Sequence, residues 1–190
     1  LPAGRYFTER WVRPAPELSP NAGAHRFVWD LRAGRPRVFR YEYSIAAVDG
    51  EDTPKLPEGM LVPPGDYQVA LLVGGQEYVK PLRVAADPRV ALDAGGLDAA
   101  SALSRQVVAA LERHLAASLE LGAVRKQLDA EKTAAKLEAI AAFEAKIAPL
   151  ASRDDDATPN LAAIGGALVD LQIDLEGSDR APTQPQRDAF

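Results

Sequence analysis

His25 and His114 are the side chains best suited to proton transfer or metal ligation in this 190-residue chain. They lie far apart, and no matching carboxylate motif accompanies either, so both read as satisfied or solvated histidines. The run Asp154–Asp155–Asp156 offers three carboxylates to a calcium ion. It lacks the alternating spacing and distal Glu of a calcium loop, and reads as a solvated linker whose charge favours the following helix N-terminus. Ser44, Ser101 and Ser104 sit in no G-x-S-x-G elbow, and Gly74–Gly75 and Gly95–Gly96 match no phosphate-binding loop. The absence of cysteine removes thiolate nucleophiles, disulfides and Cys-type zinc sites. The chain is therefore expected to be non-catalytic, with no metal and no cofactor. Two binding chemistries stay open. Trp11, Trp29 and Tyr41 are large rings that could stack on a sugar, or simply anchor their segments to a sheet. Arg32, Arg35, Arg37 and Arg40 could meet an acidic partner or anionic glycan, or form a solvated edge that discourages aggregation.

Positioning these residues falls to two kinds of element. From Tyr67 the chain alternates: Tyr67, Val69, Leu71 and Val73 point one way, Gln68, Ala70 and Leu72 the other. That period of two predicts a half-buried strand, Gly74–Gly75 predicts a tight turn, and Gln76–Val84 returns as a second strand. Pro63–Pro64–Gly65–Asp66 predicts a type II turn at the hairpin's entry. Further strands are expected over His25–Arg32, Val38–Val48 and Met60–Val62, with turn signals and no helical pattern between them. A two-stranded hairpin is marginal alone, so these strands are expected to complete a small antiparallel sandwich.

The pattern changes after Asp87–Pro88. Leu103, Val107, Leu111, Leu115 and Leu119 recur every fourth residue and lead into Leu121, Val124 and Leu128, predicting a long amphipathic helix. Leu128 and Leu137 fall on opposite sides of a continued helix, so a reversal is expected at Asp129–Thr133. A second helix carries Leu137, Ile140, Phe143 and Ile147. Thr158–Pro159 predicts an N-cap and first turn for a third, which runs through Leu161, Ile164, Leu168, Leu171 and Leu175 to Gly177. Thr183 and Gln186 have capping-box spacing and open a last helix that reads as cut short.

The fold class is thus α+β. An Ig-like antiparallel β-sandwich is expected at residues 1–90, with an irregular lead-in. An antiparallel helical hairpin or three-helix bundle is expected at 91–190. The net charge of −5 falls in the stretch after Pro88, which argues against a nucleic-acid partner, and no apolar run approaches a membrane span.

Several segments together resemble one family. They are Trp11-x-Arg13–Pro14, Leu18–Ser19, and Ala22–Gly23-x-His25–Arg26–Phe27–Val28–Trp29–Asp30–Leu31–Arg32. Leu61–Val62-x-Pro64–Gly65-x-Tyr67-x-Val69, Leu82-x-Val84 and Asp87–Pro88–Arg89–Val90 follow. Val124–Arg125–Lys126–Gln127–Leu128 and Pro182–Thr183-x-x-Gln186–Arg187 complete the set. The chain is similar to the C-terminal region of large secreted bacterial proteins whose N-terminal part is a sortilin-like, glycosidase-type β-propeller of BNR repeats. The resemblance implies an Ig-like domain without its first strands, followed by a helical region. It also implies export to the periplasm or beyond, and an upstream propeller as partner. It brings no catalytic residues. The chain, which begins without Met, reads as a piece of something longer.

The function expected is a non-catalytic accessory or interaction module, supporting the propeller, with a possible homo-oligomer through the helices. Two alternatives stand beside it. One is a carbohydrate-binding module using Trp11, Trp29 or Tyr41, and the other a domain that completes an upstream hydrolase site.

Overall fold

A computed structural model describes residues 18–39, 41–43, 55–89, 93–133, 136–151, 160–177 and 180–190. The architecture is mixed α+β. Its strands are β1 (Glu42–Tyr43), β2 (Lys55–Leu56), β3 (Gly65–Val73) and β4 (Gln76–Val84). Its helices are α1 (Ala94–Ala130), α2 (Leu137–Ile147), α3 (Leu161–Leu175) and α4 (Gln184–Asp188), with a 3₁₀ turn at Ala148–Ala151 after α2.

The hairpin forms as its alternation predicts. β3 pairs antiparallel with β4 from Gly65↔Val84 to Val73↔Gln76. Gly74 and Gly75 take φ of 57° and 79°, the double left-handed conformation of a type I′ turn, which residues with a Cβ adopt only with strain. The entry differs from expectation. Gly65 has no positive φ and begins the strand, so no type II turn precedes it. The Tyr67 hydroxyl instead donates to the Pro63 carbonyl at 2.5 Å and fixes the approach.

The other strands are corrected more heavily. His25–Arg32 is no strand. Leu31 sits at φ 61°, Asp30 Oδ1 accepts the Arg32 N–H, and the Trp29 indole donates to the Arg32 carbonyl. Side chains have taken both main-chain groups of Arg32, and the left-handed Leu31 interrupts the extended run. What remains is one antiparallel bridge, Arg32↔Leu61, closed by Ala33 N–H to Met60 O and Val62 N–H to Leu31 O. The short strand expected at Met60–Val62 reduces to the same bridge. Gly59 lies beside it so tightly that a Cβ would come 1.8 Å from the Ala33 carbonyl oxygen. Of the strand expected over Val38–Val48, Val38, Phe39 and Tyr41 are not in a strand, and only β1 is, paired with β2; Arg40 and residues 44–50 lie outside the described residues. Among the described residues the strands form two separate two-stranded sheets.

The helices follow their periodicity. α1 has 37 residues, about 55 Å at 1.5 Å per residue. It ends where the stripe loses phase, and α2 begins six residues beyond its C-cap Glu131. Lys132 joins the break by ion pairs to Asp129 at 2.8 Å and Glu144 of α2 at 3.0 Å. α3 opens later than expected: Asn160, fully buried, is its N-cap, accepting from the Ala163 N–H at 2.8 Å. Thr158 and Pro159 lie outside the described residues. The capping box at Thr183 and Gln186 is formed, and it opens the five-residue α4.

The core lies between α1 and α3. Leu103, Val107 and Leu111 pack with Leu171 and Leu175, and Val38, Leu168 and Val169 close over them. The pair runs antiparallel, since His114 of α1 meets Leu161 at the start of α3, while Gly96 of α1 lies against Ala181 beyond its end. α3 is short, so the later stripe of α1 has no such cover, and Leu119 is exposed. Among the described residues no helix is long and apolar enough to cross a membrane.

Candidate functional site

The feature that stands out is the hairpin itself. A two-residue turn makes Val73↔Gln76 a hydrogen-bonded pair, and alternation then fixes the rest. Tyr67, Val69, Leu71 and Val73 share one face with Leu82, Lys80, Tyr78 and Gln76. Gln68, Ala70 and Leu72 share the other with Pro81, Val79 and Glu77. Both faces are apolar in part and both are open. Leu71 and Tyr78 are about half exposed on the first, and Leu72 is 75% exposed on the second. Among the described residues no helix packs substantially on either face. The sequence pattern predicted half burial, whereas every residue from Gln68 to Arg83 is exposed.

The base of the hairpin is anchored instead of its faces. Trp29 meets Tyr67 edge to face, with ring centroids 5.8 Å apart and planes at 68°. Beside them Arg32 binds three groups: the Gly59 carbonyl at 2.7 Å, Glu58 at 3.2 Å and Glu176 at 2.8 Å. Burial, the largest single influence, pulls the Arg32 pKa down. The Glu176 hydrogen bond and the charges of Glu176, Glu58 and Asp30 together outweigh it, so the pKa is raised. Glu176 also accepts from Gln172 Nε2 at 3.3 Å, and Gln172 Oε1 is buried without a hydrogen-bond partner among the described residues. Sequence reasoning missed this node. Arg32 and Glu176 stand 144 positions apart, and no local pattern pairs them.

No family model matches the chain, and no curated protein or solved structure matches it either.

The residues singled out by type are dispersed. Trp29 is half-buried, with its ring against Tyr67 and its N–H on the Arg32 carbonyl at 2.8 Å. Tyr41 is half-buried too, its hydroxyl donating to the Pro36 carbonyl at 2.7 Å and its ring under the Arg35 guanidinium at 5.8 Å. Trp11, Arg40 and Asp154–Asp156 lie outside the described residues. Arg37 lines a depression of about 260 Å³ with Glu112, Leu115, Ala116 and Leu119. Arg32, Arg35 and Arg37 therefore serve separate neighbours. His25 Nε2 contacts the Asn21 carbonyl at 2.7 Å, and His114 Nε2 contacts the Leu161 carbonyl at 2.6 Å. His114 also lies flat against Gly165, where a Cβ would come 2.7 Å from the ring. Both histidines are bound to backbone. Among the described residues, no group of three or more His, Asp and Glu side chains is placed to hold a metal ion.

Proposed function

We propose that the chain is a non-catalytic interaction module of an exported, multidomain bacterial protein, acting in the periplasm or outside the cell. In this reading the β region is part of an Ig-like sandwich that supports an upstream sortilin-like β-propeller. One observation carries the reading: a hairpin of two nine-residue strands, held at its base by Trp29 against Tyr67, presents exposed apolar side chains on both faces. Contiguous exposed apolar surface on a soluble domain marks a place where another molecule sits. A hairpin of this kind also gains most from added cover, because two strands alone are marginal.

The test is titration of the upstream propeller domain into the chain, read by heat and by amide exchange. The expected result is binding with new protection confined to the β3–β4 amides. Absence of heat and protection up to about 100 μM, a concentration that reveals contacts of roughly −5.5 kcal/mol, overturns the propeller-supporting reading.

A further inference from the structure

The two edges of the hairpin are not equivalent. In this register the residues of the non-hydrogen-bonded pairs, 66↔83, 68↔81, 70↔79 and 72↔77, turn their main-chain N–H and C=O groups away from the ladder. On β4 that outer edge belongs to Glu77, Val79, Pro81 and Arg83. Pro81 has no N–H to offer, and Glu77, Lys80 and Arg83 add charge along the strand. A proline with charges is how an edge strand resists pairing. On β3 the outer edge belongs to Asp66, Gln68, Ala70 and Leu72. All four are exposed, and their outward groups have no partner among the described residues. β3, Gly65–Val73, carries one charge, Asp66 at its start, and no proline. One edge is guarded and the other is open.

We propose that the open edge of β3 pairs antiparallel with β3 of a second copy of this chain, giving a four-stranded sheet in the order β4–β3–β3–β4. The inference rests on the interaction-module reading and names the partner. Its argument is self-complementarity. A two-fold axis at Val69 pairs 66 with 72, 68 with 70, 67 with 71 and Val69 with its own copy. Every outward group of the four edge residues is then engaged, in about eight main-chain hydrogen bonds. Asp66 falls opposite Leu72 and not opposite another charge. Tyr67 falls beside Leu71 and Val69 beside Val69, the aromatic and β-branched neighbours that favour cross-strand pairing. The union also lifts each hairpin past the three strands that independent stability requires. Two copies meeting through β4 would set Pro81 in the new ladder and lose donors on both sides.

The experiment measures the mass of the full chain by light scattering over a wide concentration range, with circular dichroism to follow the fold. The wild type is expected to approach twice 20.3 kDa as concentration rises. Val69→Lys and Val69→Glu, each alone, place like charges together at the axis and are expected to stay at single-chain mass. Mixed in equal amounts they are expected to regain the doubled mass, because Lys then faces Glu. Ala70→Pro removes an outward N–H without touching the β3–β4 ladder and is expected to be a monomer. A wild type that stays monomeric overturns the proposal, even where the propeller titration succeeds. So does a dimer that survives Ala70→Pro with its fold intact, since the pairing would then run through a face or through the helices. If Ala70→Pro unfolds, the charge-swap mixture decides alone: failure to regain the dimer overturns the pairing. Dimerisation without propeller binding would sustain this inference and remove only the supporting role.

Discussion

Arg32 joins parts of the chain that the sequence separates widely. Its guanidinium holds a backbone carbonyl at Gly59, the carboxylate of Glu58 in the loop before the bridge, and Glu176 at the C-terminal end of α3. Its main chain meanwhile is held by Asp30 and by the Trp29 indole. The planar fork of arginine can serve several acceptors at once, which a lysine ammonium on its flexible stem does less well. The side chain is about one-fifth exposed, so the ties are partly screened and worth less than buried ones. Arg32→Ala is expected to cost about 1–2 kcal/mol, and to leave Glu176 with Gln172 as its hydrogen-bond partner among the described residues. For a chain of this length that is a fall of roughly 2–8 °C in Tm. Arg32→Lys is expected to recover less than half of it. A thermal melt in which Lys restores the wild-type midpoint would reduce the node to a single point charge.

At the scale of elements, the break between α1 and α2 is held by exposed charge. The Asp129 carboxyl lies below its usual range, chiefly through the hydrogen bond and then the charge of Lys132; Glu131 is lowered likewise by Lys136. The Lys132 ammonium is raised, first by Asp129 and then by Glu144 of α2. The signs define a window. Carboxylates with lowered pKa stabilise the break above their unfolded pKa, and that contribution is lost as pH falls through the folded one. The raised lysine contributes below its unfolded pKa and ceases to contribute as pH rises through the folded one. The break is therefore tied at neutral pH and loosens toward acid, and salt weakens it throughout. In Lys132→Gln, Asp129 is expected to titrate at higher pH than in the wild type, measured by NMR of its side-chain carbonyl. An unchanged midpoint would mean that Lys132 does not hold it.

This break was legible from the phase of Leu128 and Leu137, as were the hairpin, from strict alternation around Gly74–Gly75, and the capping box at Thr183. Each is set by residues a few positions apart. His25–Arg32 misled for the opposite reason. Its alternation is genuine, but Asp30 and Trp29 use their own side chains to take the Arg32 backbone, and Leu31 turns left-handed. The start of α3 was displaced because Asn160 caps better than the Thr158–Pro159 pattern before it. Of the candidate site, the strand was readable and its bareness was not, because alternation records which face is apolar and not whether anything lies on it.

At the scale of the whole molecule, the buried hydrophobic cluster among the described residues lies between α1 and α3. Val107 and Leu111 are almost wholly buried between α1 and α3, whereas β3 and β4 carry their apolar residues in the open. Among the described residues no strand packs extensively on a helix, and the ties run through the segment before the hairpin: Val38 against the helical core, Arg37 beside Glu112 and Leu115, and Arg32 with Glu176. Stability distributed in this way divides a chain into units that open separately, because losses in a well-packed core are not transmitted through sparse contacts. Leu111→Ala removes a buried side chain from the centre of the α1–α3 seam and is expected to cost about 2–4 kcal/mol. Native-state amide exchange in α1 and α3 should then accelerate by roughly 30- to 1,000-fold, at a factor of ten per 1.4 kcal/mol. The β3–β4 amides should change by less than a few-fold, since none of their partners has moved. A uniform acceleration across hairpin and helices would instead make the molecule one cooperative unit, with the Arg32 node strong enough to couple them. A change confined to the helices would leave the hairpin an independently opening element whose order is set by what pairs with β3.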